Sequence, residues 1–197
     1  MILIKGSTGI GTGCSTDIPC YNPEEIIKNI KLLLMDDTSS YSELPPLTPW
    51  YRGHKGKTEN GVSYGVYKRK DKTKIEVTEL PVGIWTEDFK THLEDYIDKH
   101  PKVLKDYESH YTESSVNFVL IFHNSDIVDG MFSQTEDKKG NKFENDFKMT
   151  NSRPLNTTNM HLYNARGQIQ KFTDPNEILL EFYKARLEMY YTRKNHI

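Results

Sequence analysis

The chain has 197 residues, 36% hydrophobic, 27% charged and 11% aromatic, with a formal net charge of −2. That length supports one large domain or two small ones with a real core. The charge excludes a uniformly basic nucleic-acid coat and allows a local basic stripe.

Residues 1–4 (MILI) read as a short buried strand that runs into a glycine-rich stretch. Asn22-Pro23-Glu24-Glu25 is a helix start, with a capping amide, Pro in the first turn and acids against the positive end of the dipole. Ile26, Ile27, Ile30, Leu33 and Leu34 then follow helical spacing. Asp36–Ser42 is polar, and the prolines of Leu44–Trp50 block regular structure. From Arg52 the chain alternates and is broken at Asn60-Gly61 and at Lys70-Asp71-Lys72, the pattern of a β-meander with tight turns; Lys68–Lys74 reads as one of those turns. Leu80-Pro81 ends it. Thr86-Glu87-Asp88 caps a second helix, with Phe89, Leu93, Tyr96 and Ile97 on one face. Ser115–His123 is apolar nearly throughout and reads as a central strand. Ser133–Asn141 is polar and expected to be mobile. Met160–Tyr163 and Gln168–Phe172 form a hairpin around Asn164–Gly167. Asp174-Pro175-Asn176-Glu177 starts a final long helix, with Ile178, Leu179, Phe182, Leu187 and Met189 as its apolar set. The mixture without a strict βαβ repeat predicts an α+β fold: a mostly antiparallel mixed sheet with flanking helices, ending in a long C-terminal helix. Met1 begins inside an apolar element and the end lies inside a charged helix, so both termini are expected to continue into a longer protein.

Cys14 and Cys20 make no CxxC pair and no ligand set with histidine, which reads as reduced thiols in a reducing compartment. With no signal peptide and no apolar run of membrane-spanning length, an intracellular protein without a membrane partner is expected. His92, His100 and His110 are scattered among acids without ligand spacing, so no metal site is expected.

The stretch Gly6-Ser7-Thr8-Gly9-Ile10-Gly11-Thr12-Gly13 sets one branched apolar residue among four glycines. It is not a P-loop, because Thr12 stands where lysine must be, and the dinucleotide fingerprint also fails. Two readings remain from the residues alone: a tight turn packed on the next segment, or a loop that meets a ligand or nucleic acid. Residues 52–74 carry eight cationic side chains against two acidic ones, a local net charge of +6. They are either a DNA-backbone track or a lysine-protected sheet edge.

The segment ILIKGSTGIGTGCSTDIPCYNPEEIIKNI resembles the one that follows the active-site domain in type IIA DNA topoisomerases of the eukaryotic and large-DNA-virus kind. The likeness continues through Trp50-Tyr51-Arg52-Gly53, Val77–Pro81 with Trp85-Thr86, and Tyr111-Thr112-Glu113. It resumes at Thr158–Tyr163 and closes over Glu177–Leu187, so it covers nearly all of the chain in the family's order. Cys14 stands where the family usually has an aromatic residue, and Lys5 where Asn is common.

The resemblance implies the tower or shoulder region of the DNA-cleavage core. Residues 1–22 would be the DNA-facing strand and glycine loop joining from the winged-helix domain. Residues 23–172 would be the tower, and 173–197 the start of the coiled-coil arm toward the C-terminal gate. The isoleucine matching Ile10 is a wedge in the family: it enters between base pairs of the gate duplex from the minor groove and helps bend it. The implied DNA-contacting set is Lys5, Gly9, Ile10, Gly11, Thr12, Gly13 and Ser15, with Arg52, Lys55 and Lys57 beside the family-like WYRGxKG stretch. The intact enzyme implied is an ATP-dependent, Mg²⁺-using homodimer that cleaves, passes and reseals duplex DNA, in the nucleus or, for a viral protein, in host cytoplasm or nucleus. Its nucleophilic Tyr follows Arg, and Arg-Tyr occurs nowhere here. The metal-binding DxD and the ATP site are also missing, so this chain is expected to hold no catalytic, cofactor or metal residues and to be inactive alone. Two other readings stay open: a standalone, non-catalytic DNA-bending protein derived from a topoisomerase, or an interaction module dimerising through the last helix.

Overall fold

A computed structural model describes residues 1–36, 41–133 and 140–197. The expected polar segments Asp36–Ser42 and Ser133–Asn141, and the mobility expected of the latter, lie largely outside the described residues. In chain order the helices are α1 (Ile2–Lys5), α2 (Pro23–Asp36), α3 (Thr86–Lys99), α4 (Ser125–Met131), α5 (Lys142–Asp146) and α6 (Pro175–Asn195). The strands are β1 (Ser7–Gly11), β2 (Cys14–Ile18), β3 (Thr58–Glu59), β4 (Val62–Tyr64), β5 (Val66–Asp71), β6 (Lys74–Glu79), β7 (Leu104–Ser109), β8 (Phe118–Phe122), β9 (Thr150–Asn151), β10 (Met160–Tyr163) and β11 (Ile169–Phe172). These strands pair antiparallel throughout, as the α+β reading requires. The chain divides into two compact units, Met1–Arg52 with Leu155–Ile197, and Gly53–Pro154.

The first unit holds the hairpins β1–β2 and β10–β11 and the helices α1, α2 and α6. Leu3, Ile18, Tyr21, Ile26, Met160 and Phe172 are among its buried side chains, joined by Ile178 and Leu179 of α6. The start of α2 is as read: Asn22 Oδ1 accepts the Glu24 N–H at 2.9 Å, and Glu24 and Glu25 fill the first turn. Its apolar stripe is wider than its buried face, since Ile26 and Leu33 are buried while Ile27 and Leu34 are more than half exposed. α6 behaves alike. Asp174 caps it through the Asn176 N–H and Ile178, Leu179 and Leu180 are buried, but Phe182, Met189, Tyr190 and Tyr191 are exposed.

The N-terminal expectation is corrected. Residues 2–5 form one helical turn, not a strand: the Lys5 and Gly6 amides donate back to the Met1 and Ile2 carbonyls at 3.2 and 2.8 Å. Only Leu3 is buried, and one buried residue in a four-residue apolar run fits a helical turn as well as a strand.

A polar lock between α2 and α6 leaves no trace in the sequence. Asn29, 1% exposed, donates from Nδ2 to Pro45 O and to Asn176 Oδ1, both at 2.9 Å, and Asn176 Nδ2 donates to the same carbonyl at 2.9 Å. The pairing recruits the loop that the prolines keep irregular. Asn29→Ala strands the buried Asn176 oxygen and is expected to cost about 2 kcal/mol, the penalty of an unpaired buried polar group. A urea unfolding midpoint equal to that of the unaltered chain would refute this.

The second unit holds a four-stranded sheet in the order β5-β6-β8-β7 and a small sheet β3-β4-β9. β8 is internal and its Phe118, Leu120 and Phe122 are buried, as its unbroken apolar run predicts. Phe89 and Leu93 of α3 pack on this sheet, with Phe89 edge-on to Phe118 at 5.1 Å between ring centres. α3 begins at Thr86 with Trp85 in the cap position, so the Thr86 cap is corrected; no side chain caps it, and Glu87 and Asp88 sit in the first turn. The Asn60-Gly61 turn is as read, with both residues at positive φ (51° and 73°), the conformation that a two-residue hairpin loop demands. Lys68–Lys74 is corrected from turn to strand: Lys68, Arg69 and Lys70 lie on β5, and Lys72-Thr73 make the turn. β7 escaped the sequence reading because it is an edge strand, fully buried only at Leu104.

Candidate nucleic-acid interface

The glycine stretch is a hairpin and not an open loop. β1 and β2 pair from Ser7↔Ile18 to Gly11↔Cys14, which leaves Thr12-Gly13 as the turn. Gly13 takes φ +77°, where a side chain would be strained. At the other end Gly6 takes φ +67°, and a Cβ there would lie 2.7 Å from Ile18 O. Glycine is therefore required at Gly6, where a side chain would be both strained and in collision, and favoured at Gly13 by its backbone conformation. Between them Gly9 and Gly11 flank Ile10, which is 94% exposed and directly opposite Ser15. A branched apolar side chain this bare, with neighbours that have none, is hydrophobic surface left open to solvent and not a core residue.

The hairpin brings together Gly9, Ile10, Gly11, Thr12, Gly13 and Ser15. Lys5 lies at its base, exposed, as the last residue of α1. Arg52 belongs to the same unit and is exposed; with Trp50 and Tyr51 it lines a cleft over the start of α2. Lys55 and Lys57 belong to the other unit, where they flank a cleft with Tyr64, Tyr67 and Glu144.

The charges within residues 52–74 sort themselves. Lys68 and Lys70 both engage Glu76, at 3.0 and 3.4 Å; the Lys68 hydrogen bond above all holds that carboxyl below the ordinary range. Arg69 pairs with Asp129, and Lys74 with Glu108 at 3.4 Å. These four cations are engaged along an edge strand and its neighbours. Among the described residues, Arg52, Lys55, Lys57 and the turn residue Lys72 enter no ion pair, and all four are exposed.

Two histidines to which the sequence assigns no site role hold these segments. His54, on the Lys55 segment, sets Nδ1 3.3 Å from Glu79 Oε1 with only 8% of its side chain exposed. His161, on β10, contacts Asn159 and Thr16 beside the hairpin. Neither is marked by a local pattern; their contacts, distant in sequence, are what single them out. His92 Nε2 donates to Asp146 O, 2.8 Å away. No group of three or more His, Cys, Asp or Glu among the described residues could hold a metal ion. Burial pushes the Tyr51, Tyr67 and Tyr107 phenols up to about 12, with carboxylates adding to it. It raises Tyr21 and Tyr96 further. All five are driven away from the phenolate that a nucleophile needs.

Comparison with known proteins places these features in context. A family model that describes the A subunits of DNA gyrase and topoisomerase IV matches residues 1–197. The DNA topoisomerase 2 of Arabidopsis thaliana is 36% identical over 206 residues, covering 100% of this chain and 13% of that protein. That of Saccharomyces cerevisiae is 36% identical over 207 residues, with the same coverage. The crystal structure of the Plasmodium falciparum topoisomerase II DNA-binding, cleavage and re-ligation domain superposes with a TM-score of 0.82 at 33% identity, over 99% of this chain and 25% of that one. The chain thus spans about an eighth of the length of these curated relatives.

Proposed function

This chain belongs to the family of the DNA gyrase and topoisomerase IV A subunits, on the side of the eukaryotic type II enzymes, and from that premise we propose that it is the part of a type IIA topoisomerase that grips and bends the gate duplex. The observation that carries this reading is Ile10, 94% exposed on a hairpin tip between glycines. Pushed into a base step from the minor groove, an apolar wedge unstacks it at a cost of a few kcal/mol and kinks the helix. Burying the side chain returns roughly 1.5–3 kcal/mol, so phosphate contacts must supply the balance. Lys5, Arg52, Lys55 and Lys57 are the cations for that purpose, with the Gly9–Gly13 amides and the Ser15 hydroxyl as close-range donors.

In this reading residues 1–22 face the DNA, 23–172 form the tower, and 173–197 begin the arm toward the C-terminal gate; the exposed Phe182, Met189, Tyr190 and Tyr191 support the last. The intact protein is a homodimer that cleaves, passes and reseals duplex DNA with ATP and Mg²⁺, in the nucleus or in an infected host cell. The described residues of this chain do not fit a metal, and no bond-making or bond-breaking step is assigned to them; they bind and bend.

Phosphate contacts are read by salt. Each one lost lowers the slope of log affinity against log salt by about 0.9. The triple variant Arg52→Gln, Lys55→Gln, Lys57→Gln is expected to lose up to about 3 units of slope. Equal loss of slope is not expected when Lys68, Lys70 and Lys74 are replaced instead, since their charges are already met by Glu76 and Glu108. A triple variant with an unchanged slope would end the proposal for these three cations.

A further inference from the structure

A two-stranded hairpin is marginal by itself, and β1–β2 has glycine at residues 9, 11 and 13, where side-chain packing would normally stiffen it. Pressing a side chain into stacked bases needs a tip that does not yield. The stiffness comes from elsewhere in the chain, at the start of β10. Asn159 O accepts the Asp17 N–H at 2.8 Å. Asn159 Nδ2 donates to Ser15 Oγ at 3.0 Å. His161 N–H donates to Thr16 Oγ1 at 3.3 Å. His161 Nδ1 donates to Asn159 Oδ1 at 2.9 Å, since the amide oxygen can only accept, and so fixes the amide's orientation. Three consecutive residues of β2 are thereby tied to two residues of another hairpin, and Asp17 is tied in turn to Thr8 of β1 through its carboxylate at 2.9 Å.

The register gives this its meaning. Ser15, which receives the Asn159 amide, is the residue directly opposite Ile10. We propose that Asn159 is a positioning residue for Ile10: it anchors β2 opposite the wedge and holds the tip against the restoring force of base stacking, an inference that rests on the wedge reading above. Asn159 reaches no base itself. Its amide also leaves the Ser15 hydroxyl proton free, since Ser15 accepts from Asn159 and can still donate to a phosphate oxygen.

The test uses the whole chain at low salt with a short duplex carrying a donor and an acceptor dye at its ends and 2-aminopurine at the central step. Losing one such hydrogen bond lowers the population of the poised tip, so Asn159→Ala is expected to reduce the bent, unstacked fraction about five-fold, with affinity changed less than about two-fold. The double variant with Ile10→Ala bends no less than Ile10→Ala alone, because a brace without a wedge does nothing. Amide hydrogen exchange of Asn159→Ala rises across Thr8–Asp17 and stays as it was in α2 and α6, which separates a loosened hairpin from a failed fold. If Asn159→Ala bends DNA like the unaltered chain while Ile10→Ala does not, the brace is refuted and the wedge stands. If Asn159→Ala lowers bending further in the Ile10→Ala background, or raises exchange throughout α2 and α6, Asn159 acts in some other way and the brace is again refuted. If Ile10→Ala bends as well as the unaltered chain, the wedge reading falls and takes this inference with it.

Discussion

Replacing Ile10 by alanine is expected to abolish most of the bend in bound DNA while leaving the fold intact and the low-salt affinity within a few-fold of its starting value. The separation follows from where the energy resides. Ile10 is 94% exposed, so the folded chain loses no packing, and a surface change of this kind stays within about 0.5 kcal/mol of neutral. In the proposed complex the same side chain would fill the opened step. Truncation to Ala removes about 2 kcal/mol of the roughly 1.5–3 kcal/mol that burial returns, while the unstacking cost of a few kcal/mol stays. At about 1.4 kcal/mol per decade, that lowers the kinked fraction by about thirty-fold. Phosphate contacts dominate affinity at low salt, so binding persists to a straight duplex. Bend measured by end-to-end energy transfer on a short duplex, beside a titration of binding, reads both numbers. Unchanged bending at unchanged affinity would remove the wedge. A parallel loss of both would show that Ile10 acts on affinity and not on shape.

Much of the architecture was legible because its signals were local. Asn60-Gly61 needs positive φ and has it. The unbroken apolar run at Phe118–Phe122 is an internal strand, and Asp174-Pro175 opens α6. The failures share a cause: the deciding partner was far away in sequence. MILI became a helical turn because only Leu3 found a core to enter. Lys68–Lys70 became an edge strand because Glu76 and Asp129 take up their charges. β7 has the polar face of an edge and no alternation strong enough to announce it. The candidate interface divides in the same way. Ile10 stood out as an apolar residue among glycines, although from the residues alone a tight turn packed on the next segment explained the pattern as well as a ligand-facing loop did. Asn159, His161 and His54 did not stand out, because a polar residue's importance lies in what it contacts, and those contacts span up to 145 residues of sequence.

Gly56→Ala is the second large effect expected, and it joins the fold to the cations. A Cβ on Gly56 would lie 1.8 Å from Tyr64 O and 2.8 Å from His54 Nε2. The imidazole could swing; the carbonyl could not. The Tyr64 N–H donates to Lys57 O and the Gly65 N–H to Met149 O, each at 2.9 Å. Just before them, the buried Ser63 accepts the Val82 N–H on its hydroxyl at 3.0 Å. β4 is thus pinned on several sides, and the 54–57 segment is the part that must lift. Lifting breaks the Lys57 carbonyl bond and parts His54 from Glu79. The overlap and the lost bonds together cost about 3 kcal/mol or more. Gly53→Ala is the contrast: its Cβ would meet nothing within 4 Å, but φ is +87°, so it incurs only the left-handed penalty of about 1 kcal/mol. The larger shift in urea midpoint therefore belongs to Gly56→Ala, and an equal or smaller one would show that the segment yields freely. Because Lys55 and Lys57 ride on what has lifted, the same variant should also lose up to about 2 units of salt slope in DNA binding. Gly53→Ala should keep its slope, so a rigid scaffold under those two lysines and a merely crowded glycine give different answers.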